Sequence, residues 1–238
     1  MEKPLKTTWD VYTGQFEKIL ILMLSTTLPL LILHSFLTNY IYAITPSYSV
    51  VYSFADIYYA LITLLFYLYA QVPYIRYVYN EYMGVENNLR NTIYTFITNG
   101  FTVFVFACIA STLTTLGFML LVLPGLILIT LLFPIPYISI FDNKSVWKSI
   151  KEGVRLGKKH FFKILMIIGL VGTAELLFGI FLTYQLFTIT SSFAAQVITQ
   201  MALNMIVYPF VIMLLTVYII KWRGQQELLD SQGVMKVM

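Results

Sequence analysis

Long apolar runs recur along the chain from Ile19 to Trp222, separated by short polar stretches. A hydrocarbon layer about 30 Å thick is crossed by roughly 20 helical residues rising about 1.5 Å each. That ruler predicts six spans, about Ile19–Ile41, Tyr52–Tyr74, Phe101–Val122, Gly125–Phe141, Phe161–Phe187 and Phe193–Ile220. Short connections pair them into three hairpins, through TPSYSVV, a tight Leu123-Pro124-Gly125 turn and TITSS. The fourth span is short and carries Pro134 and Pro136, which remove backbone donors and kink a helix, so full crossing and re-entry both stay open.

Each pair follows a segment with helical spacing of apolar residues: LKTTWDVYTGQFEKIL, LRNTIYTFITNGFTVF and IKEGVRLGKKHFFKIL. In the last, Val146, Ile150, Val154 and Phe161 share one face, whereas Lys148, Lys151, Arg155 and Lys159 project elsewhere. The pattern predicts a cytoplasmic amphipathic helix over residues 145–160, lying in the headgroup plane with its cations toward lipid phosphates. Asp142 or Asn143 is placed to cap its start. Residues 224–238 read as a cytoplasmic tail or short helix.

Composition excludes a soluble domain. The chain has 238 residues, 59% of them hydrophobic and only 11% charged, and its mean hydropathy is +0.80; a soluble domain carries about twice that charge. The expectation is a single all-α polytopic membrane domain over residues 1–238. The N-terminus mixes Glu2, Asp10 and Glu17 with Lys3, Lys6 and Lys18, unlike a cleaved signal peptide.

Charge placement predicts direction. Lys3, Lys6 and Lys18 precede the first span, Arg76 and Arg90 lie between the second and third, and Lys144, Lys148, Lys151, Arg155, Lys158, Lys159 and Lys163 lie between the fourth and fifth or at the fifth's first turn. Lys221, Arg223 and Lys236 follow the sixth, completing all 15 cations. Cytoplasmic flanks collect such residues, so both termini are expected in the cytoplasm. The basic pI of about 9.0 then reflects one membrane face rather than a nucleic-acid site. The expected partners are anionic lipid headgroups, met by Lys148, Lys151, Arg155, Lys158 and Lys159, and a membrane-protein partner or a second copy of the chain. Tyr40, Tyr42, Tyr48, Tyr52 and Phe54 mark the outer boundary and Tyr74, Tyr77, Tyr79 and Tyr82 the inner one.

Candidate chemistry is sparse. Two histidines and Cys108 supply no zinc ligand set, and no H-E-x-x-H, G-x-S-x-G, P-loop or dinucleotide glycine pattern occurs. No metal, cofactor or enzymatic activity is expected, and Cys108 reads as packing. The residues that stand out are acids within spans, since an unpaired charge at bilayer depth costs several kcal/mol. Folding the last hairpin at Ser191 sets Glu175 level with Asn204, with Gln200 one turn away. Folding the first sets Asp56 near Asn39, with His34 somewhat deeper. Glu175 is read as a proton or cation site or as a polar clamp between helices, and Asp56 as a similar group or one that simply reaches water. Gly169, Gly172 and Gly179 are expected to permit close helix approach. Pro29, Pro73, Pro134, Pro136 and Pro209 bend or interrupt spans.

The stretch from Leu116 to Lys163 resembles the YciC-like bacterial inner-membrane family, related to the membrane domain beside some glycerophosphodiester phosphodiesterases. The matching pattern is an apolar span, Pro124-Gly125, a second span with Pro134, Asp142-Asn143, then a helix with Val154, Gly157 and Lys158 before Phe161 and Phe162. The resemblance implies a six-span protein; the phosphodiesterase barrel of the fused relatives has no counterpart here. The expected function is a non-enzymatic accessory protein engaging lipid or a membrane partner; the alternatives are a small proton- or ion-coupled transporter using Glu175 and Asp56, and a lipid-modifying enzyme, which needs polar groups convergent in one groove.

Overall fold

The computed structural model describes residues 3–46 and 53–235, with side chains through Gln225. The described residues are helical, with no strand: α1 (Pro4–Gly14), α2 (Phe16–Leu22), α3 (Leu28–Ile44), α4 (Phe54–Ala70), α5 (Val72–Tyr82), α6 (Asn88–Leu120), α7 (Val122–Leu132), α8 (Ile135–Phe141), α9 (Val146–Lys159), α10 (Phe161–Ile189) and α11 (Phe193–Met235). Six stretches are long and apolar enough to cross a membrane: Phe16–Ile44, Phe54–Tyr82, Asn88–Leu120, Val122–Phe141, Phe161–Ile189 and Phe193–Gln225. The chain is a multi-pass membrane protein by that measure. Helices are the form in which one segment satisfies its own backbone without water, which is why apolar length translates so directly into structure.

Prolines decide where the long helices break. Before Pro29 the helix widens into a π-turn over Met23–Thr27, which makes room for a ring that would otherwise strike the carbonyl four residues earlier. A turn at Gln71 precedes Pro73 and separates α4 from α5, and Pro134 with Pro136 divides α7 from α8. Pro209, in contrast, stays inside α11.

The predicted boundaries shift in four places. The reversal between α6 and α7 falls at Leu121, which is extended at φ −162° and ψ 155°, and not at Leu123-Pro124-Gly125. Pro124 and Gly125 sit in the first turn of α7, where a missing N–H costs nothing because first-turn amides lack intrahelical acceptors. Residues 88–120 form one helix rather than an interfacial segment followed by a span. The second span continues to Tyr82, and α11 runs through Gly224 to Met235, so its helix does not stop at the predicted tail. Tyr52, the rest of loop 47–52 and Lys236 lie outside the described residues.

Consecutive helices pack on one another, α3 on α4, α6 on α7 and α10 on α11, while α11 also meets α1 and α5. Tyr74, Tyr77, Phe133, Tyr137, Ile140, Ile212 and Leu215 fill the centre, contributed by α5, the α7–α8 region and α11. Helix α10 is peripheral: Ile164 and Gly179 are its buried residues, and more than half of its long apolar side chains are exposed.

Helix α9 is amphipathic and packs its covered face on the protein. Its small and apolar face is buried against α7 and α8: Val146, Ser149, Gly153, Leu156 and Gly157 are covered, and Lys148, Lys151, Lys158 and Lys159 are exposed. Glycine permits this contact, since a Cβ on Gly153 would lie 2.6 Å from Ile135 Cγ1 and one on Gly157 3.0 Å from the Leu131 carbonyl oxygen. Neither Asp142 nor Asn143 caps α9; Ser145 precedes it, and no side chain caps its first amides. Asp142 instead binds Arg223 of α11 through both oxygens, at 2.6 and 2.9 Å, and Lys144 at 2.9 Å. Asn143 accepts from Arg76 at 3.0 Å, and Arg76 also donates to the Ile140 carbonyl at 3.1 Å. The turn before α9 is thereby tied to α5 and α11.

Candidate functional site

The polar residues at span depth converge on one cavity. About 240 Å³ in volume, it is enclosed by α3, α4, α10, α11 and the π-turn, and its lining includes Thr27, His34, Thr63, Tyr67, Glu175, Asn204 and Tyr208. Leu30, Leu31, Phe66 and Ala70 complete a mostly apolar wall. A small apolar chamber with a few converging polar groups is the usual form of a ligand site.

Most of the polar wall is held by the protein itself. His34 Nε2 lies 3.0 Å from Thr63 Oγ1, and its ring meets Tyr59 and Phe66 edge-on. Tyr208 donates to the Tyr67 carbonyl at 2.7 Å, and Thr27 shares a hydrogen bond with Tyr74. Gln200 Nε2 donates to Asn204 Oδ1 at 3.3 Å. Glu175, however, makes no hydrogen bond or ion pair among the described residues. The polar clamp would require Glu175 to be bonded to Asn204; instead both side chains face the same empty space.

Glu175 also belongs to a second depression. A shallow groove of about 620 Å³ runs along the outside of α10 and is lined by Gly172, Glu175, Gly179, Ile180, Tyr184 and Gln200 among others. The carboxyl therefore stands at the partition between an inner chamber and an outer, laterally exposed groove. Gly179 brings α11 close there, since a Cβ would lie 3.3 Å from Gln200 Oε1. Gly169 and Gly172 have nothing within 4 Å of a built Cβ, so the expected close approach occurs at only one of the three glycines.

The grouping around Asp56 does not form. Asp56 closes a capping box at the start of α4: its carboxylate accepts from the Ser53 amide at 3.1 Å and from Tyr42 Oη at 2.7 Å, while Ser53 Oγ accepts from the Ala55 amide at 3.2 Å. Asn39 is turned onto its own helix, donating to the Ser35 carbonyl at 2.7 Å, and His34 joins the Glu175 cavity. Helical geometry explains the outcome, because residues 34 and 39 lie five positions apart and so point in different directions. Asp56→Ala is expected to cost about 1 kcal/mol through loss of the cap, with ligand occupancy at Glu175 unchanged; thermal unfolding and binding measured on the same variant check both halves.

Thr27, Thr63, Tyr67 and Tyr208 were not legible as site residues. The available signal was hydroxyls inside apolar runs, since a buried tyrosine needs a partner for its oxygen. Among the described residues no three of His, Cys, Asp and Glu gather where they could hold a metal ion. Comparison with protein-family models, with curated proteins and with solved structures gave no match.

Proposed function

We propose that this is a non-enzymatic multi-pass protein of the bacterial cytoplasmic membrane that engages lipid-phase amphipathic molecules in the Glu175 cavity. The observation that carries this reading is the unpartnered Glu175 carboxyl, set between an apolar inner chamber and a groove open to the side. A polar group left unsatisfied at bilayer depth marks a place where something else binds. Three hairpins with both termini cytoplasmic, and membership of the YciC-like family, belong to the same proposal. The hairpin pairing is supported by the packing of α3 on α4, α6 on α7 and α10 on α11, whereas the orientation rests on the placement of the cations and the family on the pattern from Leu116 to Lys163. The exposed lysines of α9 then face anionic headgroups while its apolar face holds the bundle.

A phospholipid carrying an alkyl diazirine in its chain tests the reading, because the activated probe esterifies nearby carboxyls. Glu175 is expected to be labelled in the full-length protein in nanodiscs. Ala70→Phe, which fills the inner chamber, should reduce that labelling several-fold. Labelling unaffected by Ala70→Phe would show Glu175 touching only annular lipid and would overturn the reading.

A second reading, proton-coupled transport, is favoured by one specific feature: Glu175 and His34, both able to exchange protons, line the same chamber. It predicts that proteoliposomes dissipate an imposed pH gradient, read by trapped pyranine, and that Glu175→Gln abolishes this without loss of folded protein.

A further inference from the structure

A third pocket, of about 530 Å³, lies at the other end of α10, away from Glu175. Lys163 comes from the first turn of α10, Lys221 and Trp222 from α11, and Pro4 from the first turn of α1. Neither lysine forms an ion pair among the described residues. Met166, Ile167 and Leu170 continue the wall one to two turns along α10, giving an apolar track that starts beneath the two ammonium groups. The α1 N-terminus adds the partial positive charge of a helix end.

We propose that this pocket binds the phosphate of one anionic phospholipid between Lys163 and Lys221, with an acyl chain along Met166, Ile167 and Leu170. The two cations stand on different helices, so a single phosphate bridges α10 to α11. The apolar track distinguishes a lipid from free phosphate, which would leave it unused. Trp222 supplies an amphipathic ring at the same level, as is common where headgroups meet hydrocarbon. This site rests on the lipid-engaging reading but uses none of the Glu175 cavity and none of the exposed α9 lysines.

His160 offers an internal reporter. Its ring stacks on Trp222, with centroids 4.4 Å apart and planes 7° from parallel, and its Nε2 is buried with no hydrogen-bond partner. Burial, together with the charges of Lys163 and Lys159, holds its pKa below the ordinary imidazole value. Lys221 and Arg223 flank Trp222 on α11, and Arg223 is engaged by Asp142 and Glu152. A phosphate at Lys163 would offset the cationic field and move the imidazole back upward.

The experiment is native mass spectrometry of the full chain with dioleoyl phosphatidylglycerol, dioleoyl phosphatidylcholine or inorganic phosphate. One phosphatidylglycerol is expected to be retained in preference to phosphatidylcholine. Lys163→Gln with Lys221→Gln should weaken that binding about tenfold, and Lys148→Gln with Lys151→Gln should leave it unchanged. Binding that survives the first pair and is lost with the second overturns this site while sparing the lipid-engaging reading. Absence of any preference for the anionic lipid overturns this site, whereas the lipid-engaging reading stands or falls on photolabelling at Glu175. Competition by inorganic phosphate at equal concentration would identify free phosphate as the ligand and overturn the lipid assignment. Should the double variant fail to fold, histidine NMR on the unaltered protein decides: phosphatidylglycerol must raise the His160 pKa, and an unmoved titration overturns the proposal.

Discussion

Gly153→Ala is expected to destabilise the protein by about 2 kcal/mol, against the sign that helix propensity gives. In the interior of an exposed helix, alanine gains about 1 kcal/mol over glycine. At Gly153 the new methyl would meet Ile135 Cγ1 at 2.6 Å and Ile135 Cα at 2.8 Å, and a backbone atom cannot rotate away as a side-chain tip can. Overpacking of this kind costs about 1–3 kcal/mol and outweighs the propensity gain. Gly157→Ala should show a smaller loss, because its nearest contact is 3.0 Å, to the Leu131 carbonyl oxygen. The contrast is Gly169→Ala on α10, where nothing lies within 4 Å and a gain of up to about 1 kcal/mol is expected. Reversible unfolding in mixed micelles measures all three. A stabilising Gly153→Ala would mean that α9 does not rest on α8 as described.

Asp142→Asn is expected to cost about 2 kcal/mol near neutral pH, between the worth of an exposed ion pair and that of a buried one. Asp142 and Arg223 are 13% and 22% exposed, the contact is bidentate, and it joins the turn before α9 to the far end of α11. Burial by itself opposes ionisation of Asp142, but hydrogen bonds and charge from Arg223 and Lys144 prevail and hold its carboxyl below the usual carboxylate range. Since the folded value lies below the unfolded one, this stabilisation is complete above about pH 4 and is lost as the pH falls through the lower folded value. Asp142→Asn should therefore flatten the acid side of the stability profile. A double-mutant cycle with Arg223→Gln isolates the coupling, and an additive cycle would show that the pair contributes no interaction energy of its own.

The candidate site was legible only in part, and the reason differs from residue to residue. Glu175 stood out because a carboxyl within an apolar run has one obvious cost wherever it lies. Its proximity to Asn204 follows from reversing one chain at Ser191, so a linear count of residues was enough. A count along the chain puts His34 deeper than Asp56, and its direction around α3, which such a count does not give, turns it toward Thr63. Tyr67 and Tyr208 were hidden among 18 tyrosines, eight of which a boundary position accounts for by sequence alone. Asp56 carried the same cost argument as Glu175, but Ser53 and the α4 amides had a more local use for its charge.

Membrane-length helices, their number and their approximate limits belong to the sequence by itself, because water is absent from the bilayer interior and each segment must satisfy its own amides. Prolines at 29, 73 and 134 likewise announce breaks through a ring and a missing donor, both local facts. The tertiary structure alone decided that α9 lays its glycine face on α7 and α8, that α6 and α11 run without interruption, and that α3, α4, α10 and α11 share a chamber around Glu175. Hydrophobic periodicity tells which side of a helix avoids water, yet lipid and protein are equally apolar neighbours. The choice between them rests on the fit of surfaces, such as Gly153 against Ile135, which a hydrophobic pattern along the chain does not encode.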